Sequence, residues 1–128
     1  MIKVKVDELA SAIAIEIQQY DQIVTDEMKK TAEEVASDCA KEIQQAARTS
    51  FKGRGKYAKG WTSKTMYESQ NDIRIVVYNS KEPQLAHLLE RGHAKVNGGR
   101  VQGRPHIRPA AQEAEKKMMQ KTKVAIKG

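Results

Sequence analysis

One cysteine, three prolines and aromatic residues at only 5% of 128 positions leave several protein classes out of reach. The lone Cys39 has no partner for an internal disulfide. Its helical spacing with Val35 and Ile43 makes it a small core residue rather than a reactive thiol. No apolar run approaches the ~18 residues that a membrane-spanning helix needs. The opening Met1 to Val6 alternates apolar residues with lysines, without the ~7 to 15 consecutive apolar residues of a secretion signal, so the chain is expected to stay in a cytoplasm. Prolines and linkers are too few to divide it, and residues 1 to 128 read as one domain. With hydrophobic residues at 39%, the core is thin and oligomerisation is its natural supplement.

Charge is what the chain has in quantity, and it is unevenly spread. Residues 1 to 50 carry 6 Lys and Arg against 10 Asp and Glu, while residues 51 to 128 carry 17 against 6. The halves are therefore −4 and +11. Two stretches hold basic residues and no acid: Arg48 to Lys59, with Lys52, Arg54 and Lys56, and Arg91 to Arg108, with Lys95, Arg100 and Arg104. They are either solvated loops or surfaces that attract phosphate or an acidic protein, including the acidic half of a second copy.

Hydrophobic spacing sketches the elements. Asp7 to Tyr20 read as a first helix capped by Asp7, with Leu9, Ala10, Ile13, Ala14 and Ile17 on one face. A break near Tyr20 or Asp21 leads into a long helix ending at Ser50, about eight turns at ~3.6 residues each. Its apolar line is Val24, Met28, Thr31, Val35, Cys39, Ile43 and Ala46 or Ala47. Gly53 and Gly55 end it. Gly60 to Tyr67 and Asp72 to Asn79 have the β-branched and aromatic content of a strand pair turning at Glu68 to Asp72. Ile73, Ile75 and Val77 face the helices, while Arg74, Val76 and Tyr78 face away. Pro83 opens a short helix striped by Leu85, Leu88 and Leu89 and closed by Gly92. Asn97 and Gly98 signal a hairpin turn, so the glycine-rich loop holds either two short strands or a flap. Arg108 and Pro109 then start a helix to Val124 with Ala110, Ala114, Met118 and Lys121 along its inner edge. The expected class is α+β: a long N-terminal helical segment and a C-terminal helix on a small antiparallel sheet, with a glycine-rich basic loop.

Chemistry is poorly provided for. His87, His93, His106 and Cys39 lack the paired close spacing of a zinc site. Helix packing suits His87 better, and loop hydrogen bonding or phosphate contact suits His93 and His106. Glu90 follows His87 by one helical turn, but neither a nucleophile nor a second carboxylate accompanies them, and a helix surface pair explains both. Gly98 to Gly103 lacks the Gly-Lys-Ser/Thr ending of a nucleotide loop. The chain is expected to have no catalytic residue, no metal and no cofactor.

The residues His87-Leu-Leu-Glu-Arg-Gly-His93, Asn97-Gly-Gly99, Gly103-Arg-Pro-His106 and Arg108-Pro-Ala110, preceded by Gly55, Tyr57 and Trp61 in a Gly-x-Tyr-x-x-x-Trp arrangement, resemble the tail-component family of long-tailed, lambdoid-type bacteriophages. The likeness runs through nearly the whole chain. It implies a structural virion protein, made in the bacterial host and built into a neck or tail-completion ring at the head-tail junction. The implied partners are further copies of the chain, connector or head-closure proteins, tail proteins and, without sequence reading, packaged DNA. On this reading Arg91, His93, Lys95, Asn97, Gly98, Gly99, Arg100, Gly103, Arg104, His106 and Arg108 form a docking or channel-facing loop, with protein docking preferred. Gly55, Tyr57, Trp61, Leu85, Leu88, Leu89, Glu90, Gly92, Pro105 and Pro109 form the structural motif that carries it. The alternative is a sequence-independent nucleic-acid-binding protein outside any particle. The absence of interleaved aromatics and of a recognition-helix motif argues against it.

Overall fold

The structure is a computed structural model that describes residues 2–7, 12–18, 22–95 and 97–127. Strands β1 (Ile2–Asp7) and β2 (Ala12–Ile17) precede α1 (Gln22–Ser50) and a short α2 (Gly55–Lys59). Strands β3 (Trp61–Glu68) and β4 (Ile73–Asn79) follow, then a 3-10 turn at Pro83–Leu85 and α3 (Ala86–Arg91). The chain continues through a small hairpin, β5 (Gly92–Ala94) and β6 (Arg100–Gln102), and ends in α4 (Arg108–Lys127). The mixed α+β class is as the sequence predicts.

Where the sequence predicts the first helix, residues 12–17 instead form β2, paired antiparallel with β1. The supposed helical face contains Ile13 and Ile17 at helical spacing, but Ile13, Ile15 and Ile17 also alternate, and alternation prevails because Ile2, Val4 and Val6 offer a matching partner. Ile2 pairs with Ile17, Val4 with Ile15 and Val6 with Ile13. Stacking these β-branched residues on one face buries them together, whereas a lone helix would have left Ile2, Val4 and Val6 unmatched. Asp7 thus ends a strand rather than capping a helix; Leu9, Ala10 and the break near Tyr20 and Asp21 lie outside the described residues.

The sheet runs β1-β2-β4-β3, antiparallel throughout. Ile13, Ile15 and Ile17 sit beside Val77, Ile75 and Ile73, so one continuous aliphatic face crosses the central strands. Helices α1 and α4 cover that face side by side. α1 contributes Met28, Ala32, Val35, Ala36, Cys39, Ala40, Ile43 and Ala47, and α4 contributes Ala110, Ala111, Ala114 and Met118. Alanines at the contact let the two backbones approach closely. The buried line passes through Ala32 rather than the half-buried Thr31, and Lys121 is exposed rather than inward. The opposite sheet face carries exposed Arg74, ion-paired to Glu16 at 3.3 Å, with half-buried Val76 and Tyr78.

Polar ties fix the connections. Lys29 of α1 is 9% exposed and donates to the carbonyl oxygens of Ser69 and Gln70 while pairing with Glu68 at 3.2 Å, which holds the β3–β4 turn against the helix. Buried Asn79 donates to Tyr57 O at 2.7 Å and accepts from the Lys81 and Glu82 N–H groups. Gln44 donates to Trp61 O at 2.7 Å. Lys117 and Glu42 join α4 to α1 at 2.7 Å.

Candidate functional site

The glycine-rich basic stretch is an ordered arm. Gly92 leaves α3 at φ +84°, a backbone conformation that side chains resist. Gly92 then faces Gln102, His93 faces Val101 and Ala94 faces Arg100. At the base the strands nearly touch: a Cβ on Gly92 would lie 2.2 Å from Val101 O, and one on Gly103 would lie 2.3 Å from the Arg91 carbonyl carbon. Only glycine permits this crossing. At the tip, Lys95 N donates to Gly99 O at 3.0 Å, and Gly98 and Gly99 both have positive φ. Of the two arrangements left open by the sequence, the loop adopts the two short strands.

The arm's charges are outside. Arg91, Lys95, Arg100, Arg104 and Arg108 are all exposed, as are Asn97, Gly98, Gly99 and Pro105. Two arginines also brace the backbone: Arg100 Nη2 donates to Arg91 O at 2.9 Å, and Arg104 Nη1 donates to Ser50 O at 2.6 Å, at the end of α1. His93 is half-buried, and its Nδ1 is sealed off without a hydrogen-bond partner among the described residues.

His106 departs from the predicted docking set. It is 2% exposed, too deeply placed to touch a partner. Its Nδ1 lies 2.9 Å from both Glu90 Oε1 and Arg104 O, and its Nε2 lies 2.6 Å from the Tyr57 hydroxyl. Two acceptors beside Nδ1 make it the donor nitrogen, and Nε2 faces the Tyr57 hydroxyl as its acceptor. Phe51, Tyr57 and Trp61 meet the imidazole edge-on with centroids at 4.9, 5.7 and 6.3 Å. Half of the six Phe, Trp and Tyr residues thus converge on one histidine. Burial raises the Tyr57 phenol well above its ordinary range, which keeps it a neutral donor.

Glu90 joins this core to the last helix. Its Oε1 accepts from the N–H groups of His106 and Ile107 at 2.7 and 2.8 Å, and its Oε2 accepts from Arg108 N at 3.0 Å. Ile107, immediately before α4, has no side-chain acceptor, so the N–H groups of the entry to the helix and of its first residue, Arg108, are met from α3 instead. Burial alone would raise the Glu90 carboxyl, but hydrogen bonds from the His106 ring and from these three N–H groups outweigh it and hold it at about 2. Both oxygens are thereby engaged. The predicted surface pair with His87 gives way to this cap, and His87 is exposed rather than packed.

The remaining motif residues support the anchor. Tyr57 and Trp61 are buried at 0% and 1% exposure, joined through α2, which begins at Gly55. α2 itself was not foreseen as a helix; five residues are too few to show a periodicity. Leu85 and Leu89 are half-buried against the core and Leu88 is half-buried, while the fully buried residue of this segment is Ala86. Cys39 lies in the core with its thiol pushed up to about 12, burial being the main cause, and is chemically inert there. Among the described residues no cluster of three metal-ligating side chains occurs, and no helix is long and apolar enough to cross a membrane.

The structural ties that the sequence reading missed are those of Lys29 and Asn79 and the capping role of Glu90. Only the last had a signal: a helix opening at Arg108 and Pro109 with no Ser, Thr, Asp or Asn before it needs an acceptor from elsewhere.

The family described as “Bacteriophage HK97-gp10, putative tail-component” matches residues 4–92. The match runs from β1 to the first residue of the arm and leaves the rest of the arm and α4 outside it. No curated protein and no solved structure matches the chain. Matched over more than half its length, the chain belongs to the HK97-gp10-like family of bacteriophage tail components.

Proposed function

We infer that this phage tail-component protein acts at the head-tail junction, as a neck or tail-completion subunit that oligomerises and docks connector to tail. The observation that carries the reading, beside the family, is the arm itself: exposed Lys95 and Arg100 on the hairpin, with exposed Arg91, Arg104 and Arg108 at its root, the base locked by backbone contact and the root capped by a buried network. A loop needed only for connection has no use for such a foundation. A docking element does, because preorganisation lowers the entropy lost on binding. Docking connector or tail protein is the main task of the arm, and contact with packaged DNA would be through phosphates only.

The test is electron microscopy of lysates from a phage or prophage lacking the gene, with and without complementation. Filled heads beside separate tails, joined again on complementation, are expected. Complete infectious particles from the deletion would overturn the junction role. Purified protein whose affinity for random duplex DNA falls steeply with salt would then favour nucleic-acid binding outside a particle.

A further inference from the structure

The two margins of the four-stranded sheet are built differently. At one, β3 carries a register shift between Thr65 and Tyr67, a bulge of the kind that turns an edge away from further pairing. At the other, β1 keeps an unbroken register with β2 over all six of its residues and contains no proline. Among the described residues no strand pairs with its outer side. Alternate residues of a strand turn their N–H and C=O groups to opposite sides, so half of the backbone groups of β1 face outward.

Two hollows follow one another along this margin. Ile2, Lys3, Val4 and Lys5 line the first, of about 260 Å³, with Glu115 and Met119 of α4 opposite. Successive side chains of a strand point to opposite faces, so a hollow touched by all four lies beside the strand rather than over one face. Val6 opens the second, of about 190 Å³, which reaches Pro105, Ile107 and Arg108 at the start of α4. On the helix side the margin is apolar: Ile2, Val4 and Val6 are half-buried and Met119 is 50% exposed. On the other face Lys3 and Lys5 are exposed. Around both hollows Lys3, Lys5, Arg91 and Arg108 outnumber Glu90 and Glu115, and both oxygens of Glu90 are already engaged.

These features select an occupant. A row of outward backbone groups is complemented by another strand. Alternation of the margin calls for apolar side chains towards Met119 and acidic ones towards Lys3 and Lys5. A second β1 fits poorly, because it would set these lysines against their own copies, and like charges directly opposite one another are destabilising. We propose that β1 is a strand-addition site for an extended acidic segment of another protein, with apolar and acidic side chains in alternation. Main-chain hydrogen bonds supply the affinity of such a contact, and the alternate side chains supply its specificity. The site is distinct from the hairpin arm and needs no second copy of the chain, so it stands or falls separately from the junction role.

Fluorescence anisotropy on the full chain tests it, with a labelled, end-capped peptide of eight residues that alternates valine and glutamate. One control replaces glutamate by lysine, and another keeps the composition but scrambles the alternation. The acidic alternating peptide is expected to bind, more weakly as salt rises, and each control at least tenfold more weakly. Binding should slow hydrogen exchange at alternate amides of β1, those turned away from β2. Lys3→Glu with Lys5→Glu should reverse the preference in favour of the lysine peptide, and Met119→Glu should weaken the acidic peptide at least tenfold. Neither variant should move the melting temperature, since all three side chains are exposed. No binding of the acidic peptide at millimolar concentration, equal binding of the scrambled one, or an unreversed preference in the double variant would each overturn the site. Displacement of the peptide by oligothymidylate, with β1 exchange unchanged throughout, would overturn it and assign the lysines to nucleic acid. A wild-type dimer that protects β1 before any peptide is added would overturn it in favour of a second copy.

Discussion

Where α1 and α4 lie on the sheet, neighbour after neighbour is aliphatic, from Ile13 through Val35 to Met118, and polar ties such as Lys117 with Glu42 sit at the margin. Around the arm the proportions reverse. Between Glu90 and Arg108 the chain is held by a carboxylate on three N–H groups, an imidazole between Tyr57 and Glu90, and an arginine on the end of α1. Apolar burial is non-directional and tolerates small shifts, whereas hydrogen bonds fix direction. The body thus supplies stability, and the polar root supplies the aim of the arm. Trp61 belongs to both, closing the core and ringing His106.

That double membership makes Trp61→Ala the largest expected loss, about 3 to 5 kcal/mol for a fully buried aromatic. Urea denaturation should show one cooperative transition at a lower midpoint. An unchanged midpoint would mean that the aromatic cluster contributes no burial and that body and arm are independent.

Glu90→Ala comes next. It strips the cap from α4 and leaves His106 without its carboxylate, for a cost of about 2 kcal/mol. Hydrogen exchange at the amides of residues 106 to 108 should quicken while those of α1 stay protected; uniform loss of protection would show that the root and the body open as one unit. Acid offers a second view of the same group. Because the folded carboxyl sits at about 2, below its ordinary 4.5, its contribution is complete above the ordinary value and is lost as pH falls from 4.5 towards 2. Wild type should lose more stability than Glu90→Gln across that window, and parallel pH profiles would remove the carboxylate from the account.

The same contrast explains how far the sequence could be read. The long helix, β3, β4 and the final helix were legible because each has a period or a turn signal that a neighbour reinforces, whereas the turn signal at Asn97 and Gly98 left the arm open between two short strands and a flap. Ile73, Ile75 and Val77 were placed on the buried face, and that is where they lie. Residues 12 to 17 fit two periods at once, and only their pairing with residues 2 to 7 decides for strand. His106 was placed on the surface because it stands in a run of glycines and cations. What buries it is three rings contributed by residues 51, 57 and 61, some fifty positions away in sequence, and no local pattern records such a convergence. The exposed cations of the arm, in contrast, were found by composition alone.

Glycine substitutions separate the base of the arm from its tip. Gly98→Ala meets open space, so its cost is the positive φ, about 1 kcal/mol. Gly92→Ala meets Val101 O at 2.2 Å as well as an unfavourable φ, and should dismantle the β5–β6 pairing, read by the loss of slow exchange at residues 92 to 94. Equal effects of the two changes would mean that the close crossing at the base is not what orders the arm.

The smallest effect on stability is expected from the change with the largest effect on assembly. Arg100, Arg104 and Arg108 are exposed, and the hydrogen bonds from Arg100 and Arg104 go to backbone oxygens at the surface. Reversing all three to Glu should therefore move the folding free energy by only about 0.5 to 1 kcal/mol. It converts the arm from attracting an acidic partner to repelling it, however, and like-charge contact at an interface is strongly disfavoured. A variant with a near-native melting curve that fails to complement the deletion would place function in the arm's charge and stability in the body. Normal infectivity of that variant would show that the arm is aimed at nothing its charge must recognise, and would leave the hairpin as a structural link between α3 and α4.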